Sequence, residues 1–208
     1  MGTGARLTRS FYARPAVEVA RGLLGKILRH GDASGRIVET EAYLGTNDAA
    51  AHSARGLTPR TRVIYGPPGH AYVYLIYGMY HCLNIVAEPE GVAGCVLIRA
   101  LEPLGGIAPP ASGPGKLTRA LGITMRHCGA DLTRGPLAVY SDGASDAFEI
   151  GVSPRIGISK AVDLPLRFFI SGNRFVSGAF LTEVRHYIAR SSYFRPADES
   201  NSRAFSGG

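Results

Sequence analysis

The stretch Gly35-Arg36-Ile37-Val38-Glu39-Thr40-Glu41-Ala42-Tyr43-Leu44 alternates with a period of two, which is the signature of a β-strand. Ile37, Glu39, Glu41 and Tyr43 fall on one face, and Val38, Thr40, Ala42 and Leu44 on the other. Two carboxylates and a tyrosine on one strand face are unusual for packing alone. Downstream, residues 71–76 are strongly β-prone, Tyr77-Gly78-Met79-Tyr80 reads as a turn and residues 81–87 as a returning strand, giving a hairpin with tyrosines at its tip. Residues 95–101 form another apolar strand, interrupted only by Arg99. Upstream, Pro15 opens an amphipathic helix carrying Ala16, Val17, Ala20, Leu23 and Leu24 that stops near Gly25.

Residues 45–70 are rich in Gly, Pro, Thr and Arg and read as loop, with a short helix over 47–53. Residues 105–115 form a Pro/Gly/Ala linker that delivers Gly113-Pro114-Gly115-Lys116 to a helix over 116–121. Strands are expected at 154–159, 164–171 and 184–190. No repeat or composition break divides the chain, so one α+β domain over 1–191 is expected, followed by a loosely ordered Ser/Gly-rich tail over 192–208.

The 208 residues carry a formal charge of +7 and a pI near 9.6, which favours a polyanionic partner. No apolar run approaches the roughly 20 residues of a membrane span, and the first fifteen residues hold no apolar signal core, so a soluble cytoplasmic protein without a membrane partner is expected. Cys82, Cys95 and Cys128 are an odd number without C-x-x-C spacing, which indicates neither a disulfide framework nor a zinc ribbon. The dipeptides His81-Cys82 and His127-Cys128 point their side chains to opposite faces of a strand, so each is a poor chelate. Neither a metal nor a cofactor is expected.

The residues hardest to explain as packing are Glu41, Tyr72, Tyr74, Tyr77, Tyr80, Asn84 and Arg99. Glu41 and Arg99 are candidates for mutual satisfaction, and a carboxylate held by arginine stays ionised near neutral pH, where it can act as a general base. The same pair also reads as a structural tie between two strands, and the tyrosines as sheet core. Aromatic faces beside a carboxylate on a basic protein suit an enzyme that grips a flat base and attacks its sugar.

The run from Gly35 to Gly45, then His52-Ser53, Thr58-Pro59-Arg60, Gly69 through Gly78-Met79-Tyr80, Asn84 and Arg99, closely resembles the alkyladenine (3-methyladenine) DNA glycosylase family, compact bacterial type. The likeness continues through Gly113 to Leu117, Arg134 to Pro136, Pro154 to Gly157 and Pro165 to Phe168. The resemblance implies a curved, mostly antiparallel sheet surrounded by helices, with a protruding hairpin that inserts into DNA. It further implies that Glu41 activates the attacking water, with Arg99 and the carbonyl of Ile156 holding it. Tyr43, His52 and Tyr74 then wall the base pocket, and Asn84 screens purines by pressing against a 2-amino group. Tyr77, with Met79 beside it, is the wedge that fills the gap left by a flipped nucleotide.

The implied partner is double-stranded DNA carrying damaged purines such as 3-methyladenine, 7-methylguanine, hypoxanthine or ethenoadenine, bound by a monomer that associates with the nucleoid through DNA. Lys116 at a helix start, with Arg55, Arg60 and Arg62, supplies phosphate contacts. Only Lys26, Lys116 and Lys160 are lysines, and residues 35–115 hold none, so a monofunctional hydrolase is expected rather than a lyase using a Schiff base. The chain departs from the family at Thr61, where asparagine is frequent, and in a shorter loop between His52 and Thr58. Two rivals are a metal-dependent nuclease using Glu39, Glu41, Asp48 and His52, and a basic nucleic-acid-binding module without activity.

Overall fold

The computed structural model describes residues 4–107, 110–141 and 147–178. The strand expected at 184–190 and the tail at 192–208 lie outside the described residues. In chain order the elements are β1 (Ala5–Arg6), α1 (Arg9–Tyr12), α2 (Ala16–Leu23), β2 (Ile27–His30), β3 (Ala33–Tyr43), β4 (Ala71–Ile76), β5 (Tyr80–Val86), β6 (Cys95–Gly105), α3 (Pro114–Ala120), β7 (Leu137–Ser141), β8 (Ile150–Ser153) and β9 (Arg167–Ile170). The strands join one antiparallel sheet in the order β1-β7-β2-β3-β6-β5-β4, with β9 on β3 and β8 on β9.

β3 is the hub. β6 runs along one of its edges, while β2 pairs with residues 33–36 and β9 with residues 39–41. The two therefore share the other edge end to end. Register shifts on both sides of Glu39 interrupt the β3–β6 ladder, as bulges do where a strand re-aims its side chains.

Alternation then divides the sheet into two faces with different work. Val38, Ala42, Val73, Leu83, Ile85, Val96 and Ile98 enter the main core, where α2 packs with Ala16, Val19, Ala20 and Leu23 fully buried. That spacing of three, one and three residues is a single helical face, each larger side chain contributing about 1.5–3 kcal/mol. The Thr40 hydroxyl donates to the Ala20 carbonyl at 2.9 Å and seats the helix on β3. On the opposite face, register aligns Tyr72, Asn84, Leu97, Glu41 and Arg167 in one cross-strand row, with Tyr74 opposite Cys82 and Tyr43 opposite Cys95 beside it.

Three expectations need correction. Residues 154–159 are loop and the strand precedes them as β8, because Pro154 has no N–H to give a ladder and the Arg155 side chain is committed to Asp48. The short helix over 47–53 is instead two separate 3-10 turns, Gly45–Asn47 and His52–Arg55. The Asp48 carboxylate accepts the Leu44 and Ala50 amides between them, an alternative that competes with helix bonding. α3 starts at Pro114 rather than at residue 116, since proline is already set for a first helical turn.

Candidate active site

Glu41 has no solvent exposure, and three groups hold its carboxylate. Its Oε1 accepts the Ile156 amide at 2.8 Å and pairs with Arg99 Nη1 at 3.2 Å. Its Oε2 accepts the Tyr43 hydroxyl at 3.0 Å. Burial pushes the carboxyl above its usual range, opposed by Arg99, by the Ile156 amide and by Tyr43, with the charge of Glu39 pushing further upward. Arg99 alone would keep the carboxyl ionised near neutral pH; burial acts the other way and makes an ionised Glu41 a stronger base.

The expected Glu41–Arg99 pair exists, but Arg99 is shared. Its Nε donates to Glu39 Oε1 at 3.0 Å. Glu39, also without exposure, accepts Arg167 Nε at 2.6 Å and the Ser177 amide at 2.6 Å. Two carboxylates thus face two guanidiniums in a buried network that is charge-balanced when both acids are ionised. Arg167 and Ser177 were not singled out from sequence, although the cross-strand position of an arginine opposite a glutamate is a readable signal once register is known.

A cavity of about 810 Å³ opens over this face of the sheet, in the size class of small-molecule sites. Tyr43, Arg99, Ile156, His52, Tyr74, Asn84 and Tyr77 all line it, so the groups holding Glu41 form its wall. His52 Nδ1 lies 2.9 Å from the Tyr72 hydroxyl oxygen, and its ring meets Tyr74 edge-on at 4.5 Å between centroids. Burial and the nearby Arg60 cation both push the imidazole below its usual pKa, which favours the neutral ring. Burial likewise holds the Tyr43 and Tyr74 hydroxyls protonated. Asn84 is buried, its amide donating to the Tyr72 carbonyl at 3.3 Å. That bond fixes which end of the side chain faces each neighbour.

The hairpin tip stands apart from this buried chemistry. Tyr77 is 81% exposed and adopts φ 53, beside Gly78 at φ 69, with the Met79 amide closing the turn on Ile76. A left-handed tyrosine costs about 1–2 kcal/mol where glycine would cost nothing. Met79 is also largely exposed. Positive φ at both central residues is what a tight two-residue hairpin turn requires, so the turn sets this backbone and presents the Tyr77 ring at the tip.

Arg55, Arg62 and Lys116 are exposed cations. Arg60 is exposed too, but its guanidinium turns back toward the cavity, 3.4 Å from His52 Nε2 and over the Tyr74 ring at 5.6 Å. Thr61 is buried and ties its loop together. It accepts the Thr58 amide at 2.8 Å and donates to the Gly56 carbonyl at 3.0 Å. Lys160 also lines the cavity, an amine that a count over residues 35–115 does not reach.

The carboxylates needed by a metal-dependent nuclease are each taken by arginine: Glu39 by Arg99 and Arg167, and Asp48 by Arg155. Among the described residues no group of three or more His, Cys, Asp or Glu is placed to hold a metal ion. No described helix is long and apolar enough to cross a membrane.

The chain is similar to known proteins over most of its length. A family model described as "Methylpurine-DNA glycosylase (MPG)" matches residues 10–174. A protein of Koribacter versatilis named "Putative 3-methyladenine DNA glycosylase" is 48% identical over 195 residues, covering 84% of this chain and 94% of the relative. Proteins with the same name from Methanoculleus marisnigri, at 49% identity over 82% of this chain and 98% of the relative, and from Alkaliphilus oremlandii, at 47% over 83% and 98%, are similarly alike.

Proposed function

Since the chain belongs to the methylpurine-DNA glycosylase family and is therefore a DNA N-glycosylase, we propose that it turns alkylated or deaminated purines out of duplex DNA and hydrolyses their bond to deoxyribose. The substrates are 3-methyladenine, 7-methylguanine, hypoxanthine and ethenoadenine, and the product is an intact abasic site. One observation carries the reading. A fully buried carboxylate, Glu41, is held by three residues that themselves line a cavity walled by tyrosine and histidine.

In this reading the extruded base stacks among Tyr43, His52 and Tyr74, stacking being worth roughly 1–3 kcal/mol per base. A base alkylated at N3 or N7 is cationic and gains a further cation-π attraction. As its bond to the sugar lengthens, positive charge grows on the sugar. Glu41 both stabilises that charge and takes the proton of the water that adds to the anomeric carbon. Arg99 and the Ile156 carbonyl orient that water. Asn84 presses against purines that carry a 2-amino group. Tyr77, with Met79, fills the space vacated in the stack from the exposed hairpin tip. Arg55, Arg60, Arg62 and Lys116 take the phosphates.

A lyase-free course is supported by the absence of lysine from residues 35–115 and by a carboxylate, rather than an amine, at the centre of the site. The test is a panel of duplexes bearing the four lesions, incubated with enzyme and excess chelator. Free modified base in molar excess over protein, with the DNA strand uncut, is the expected result. Chelator-sensitive strand cutting would replace the reading with a nuclease, and binding without turnover with a binding module. Borohydride trapping is expected to give no covalent adduct; one that disappears in Lys160→Ala would overturn the lyase-free part.

A further inference from the structure

Asp48 and Arg155 form a buried pair that the reaction scheme above does not use. Neither side chain has any exposure, and the fork is bidentate, Arg155 Nη1 and Nη2 meeting the Asp48 carboxylate at 2.5 and 2.8 Å. Arg155 Nη1 also donates to the Ala42 carbonyl at 3.0 Å, on the peptide that joins Ala42 to Tyr43. Its guanidinium carbon lies 4.6 Å from the centre of the Tyr43 ring. The next residue in the chain is Ile156, whose amide sits on Glu41. One arginine thus touches the pocket wall and the backbone of the catalytic strand, and precedes the amide donor to the carboxylate.

From this arrangement we propose that Asp48 and Arg155 are a positioning pair, which holds the Tyr43 ring and seats the Ile156 amide on Glu41. The inference rests on the glycosylase reading for its consequence in catalysis, but not for its structural part. Asp48 is itself anchored by the Leu44 and Ala50 amides at 3.2 and 3.0 Å, so the fork is braced against the turn that follows β3. Burial would raise the Asp48 carboxyl, but Arg155 and these amides more than offset it and hold it below its usual range. Arg155 Nε is buried without a hydrogen-bond partner among the described residues.

The double variant Asp48→Asn/Arg155→Met tests this, because it removes both buried charges together and keeps an acceptor for one of the two turn amides. The readout is a carbon-13 titration of the Glu41 carboxyl in the DNA-free protein, alongside single-turnover base release. The groups facing Glu41 are Arg99 on β6, Glu39 and Tyr43 on β3, Arg167 on β9, Cys82 on β5 and the Ile156 amide. Only the last and the Tyr43 ring are tethered by the pair. Loosening an amide that favours the charged form moves the Glu41 midpoint up, by roughly half to one pH unit. Base release is expected to fall by about three- to tenfold at pH values below the Glu41 midpoint.

Arg155→Lys keeps the charge but not the fork, and serves as the second variant should the double variant melt early; it is expected to raise the midpoint as well. A Glu41 midpoint at the wild-type value in a folded variant overturns the positioning role, whatever the activity. A raised midpoint in variants of a protein that releases no base leaves the positioning role standing and refutes the glycosylase reading instead.

Discussion

Replacing Glu39 by glutamine isolates the role of the buried network beneath the site. Glu39 holds Arg99 at 3.0 Å, Arg167 at 2.6 Å and the Ser177 amide at 2.6 Å, with the two arginine side chains only 9% and 6% exposed. Glutamine keeps one acceptor and sets an NH2 against a donor, so two guanidiniums are left with Glu41 as their one carboxylate in the network. Removing one partner of a buried ion pair costs about 3–5 kcal/mol. For a chain of this size each kcal/mol moves the melting midpoint by roughly 2–4 °C, so a fall of about 6–20 °C is expected. In the folded fraction, loss of the Glu39 charge removes one of the influences raising the Glu41 carboxyl. The rising limb of base release should therefore move to lower pH. Calorimetric melting and a pH series of single-turnover rates check both parts. A melting midpoint within about 2 °C of wild type would refute the network's stabilising role.

Glu41→Gln behaves oppositely in stability. Because the folded carboxyl is raised, ionising it costs folding free energy, and stability is lost as pH rises through the folded midpoint. The variant, which can still accept the Ile156 amide and donate to Tyr43, is expected to melt at or above wild type near pH 8, and a large fall would favour a purely structural ion pair. Tyr77→Ala should weaken lesion capture by roughly 5- to 150-fold, from roughly 1–3 kcal/mol of lost stacking, while melting is unchanged; fluorescence anisotropy on lesion-bearing and intact duplexes measures it, and equal affinity for the lesion would reject the wedge. Arg62→Gln should weaken binding to intact and damaged duplex alike and lower the salt slope of log affinity by about 0.9 per phosphate lost, and an unchanged slope would place Arg62 off the DNA.

Much of the fold is legible in the sequence where side-chain period and length are unambiguous. The strand of residues 71–76, its partner and the Arg99-bearing strand follow from β-prone runs, and α2 from its apolar face. β2 and β7 escaped because four or five residues in Ile27–His30 and Leu137–Ser141 are too short to show a period, and their pairing with each other and with β3 is long-range. Residues 154–159 carry a strand-like apolar pattern, but tertiary contacts of Arg155 and Ile156 decide their course.

The site was legible in part for a similar reason. Glu41, Tyr43 and their shared face follow from alternation, and the hairpin tyrosines from turn chemistry. The division of Arg99 between Glu39 and Glu41 and the pairing of Arg155 with Asp48 across 107 residues are set by register and loop placement, which composition does not encode. Asp48 in particular reads as a metal ligand only while its arginine is unknown.

Single-turnover release of 3-methyladenine from an alkylated duplex, measured for wild type and Glu41→Gln at matched DNA occupancy, bears most directly on the central claim. General-base removal is expected to slow release by roughly 100-fold or more while the affinity for the lesion duplex holds. Release by the variant within a few-fold of wild type would show that Glu41 does not activate the attacking water.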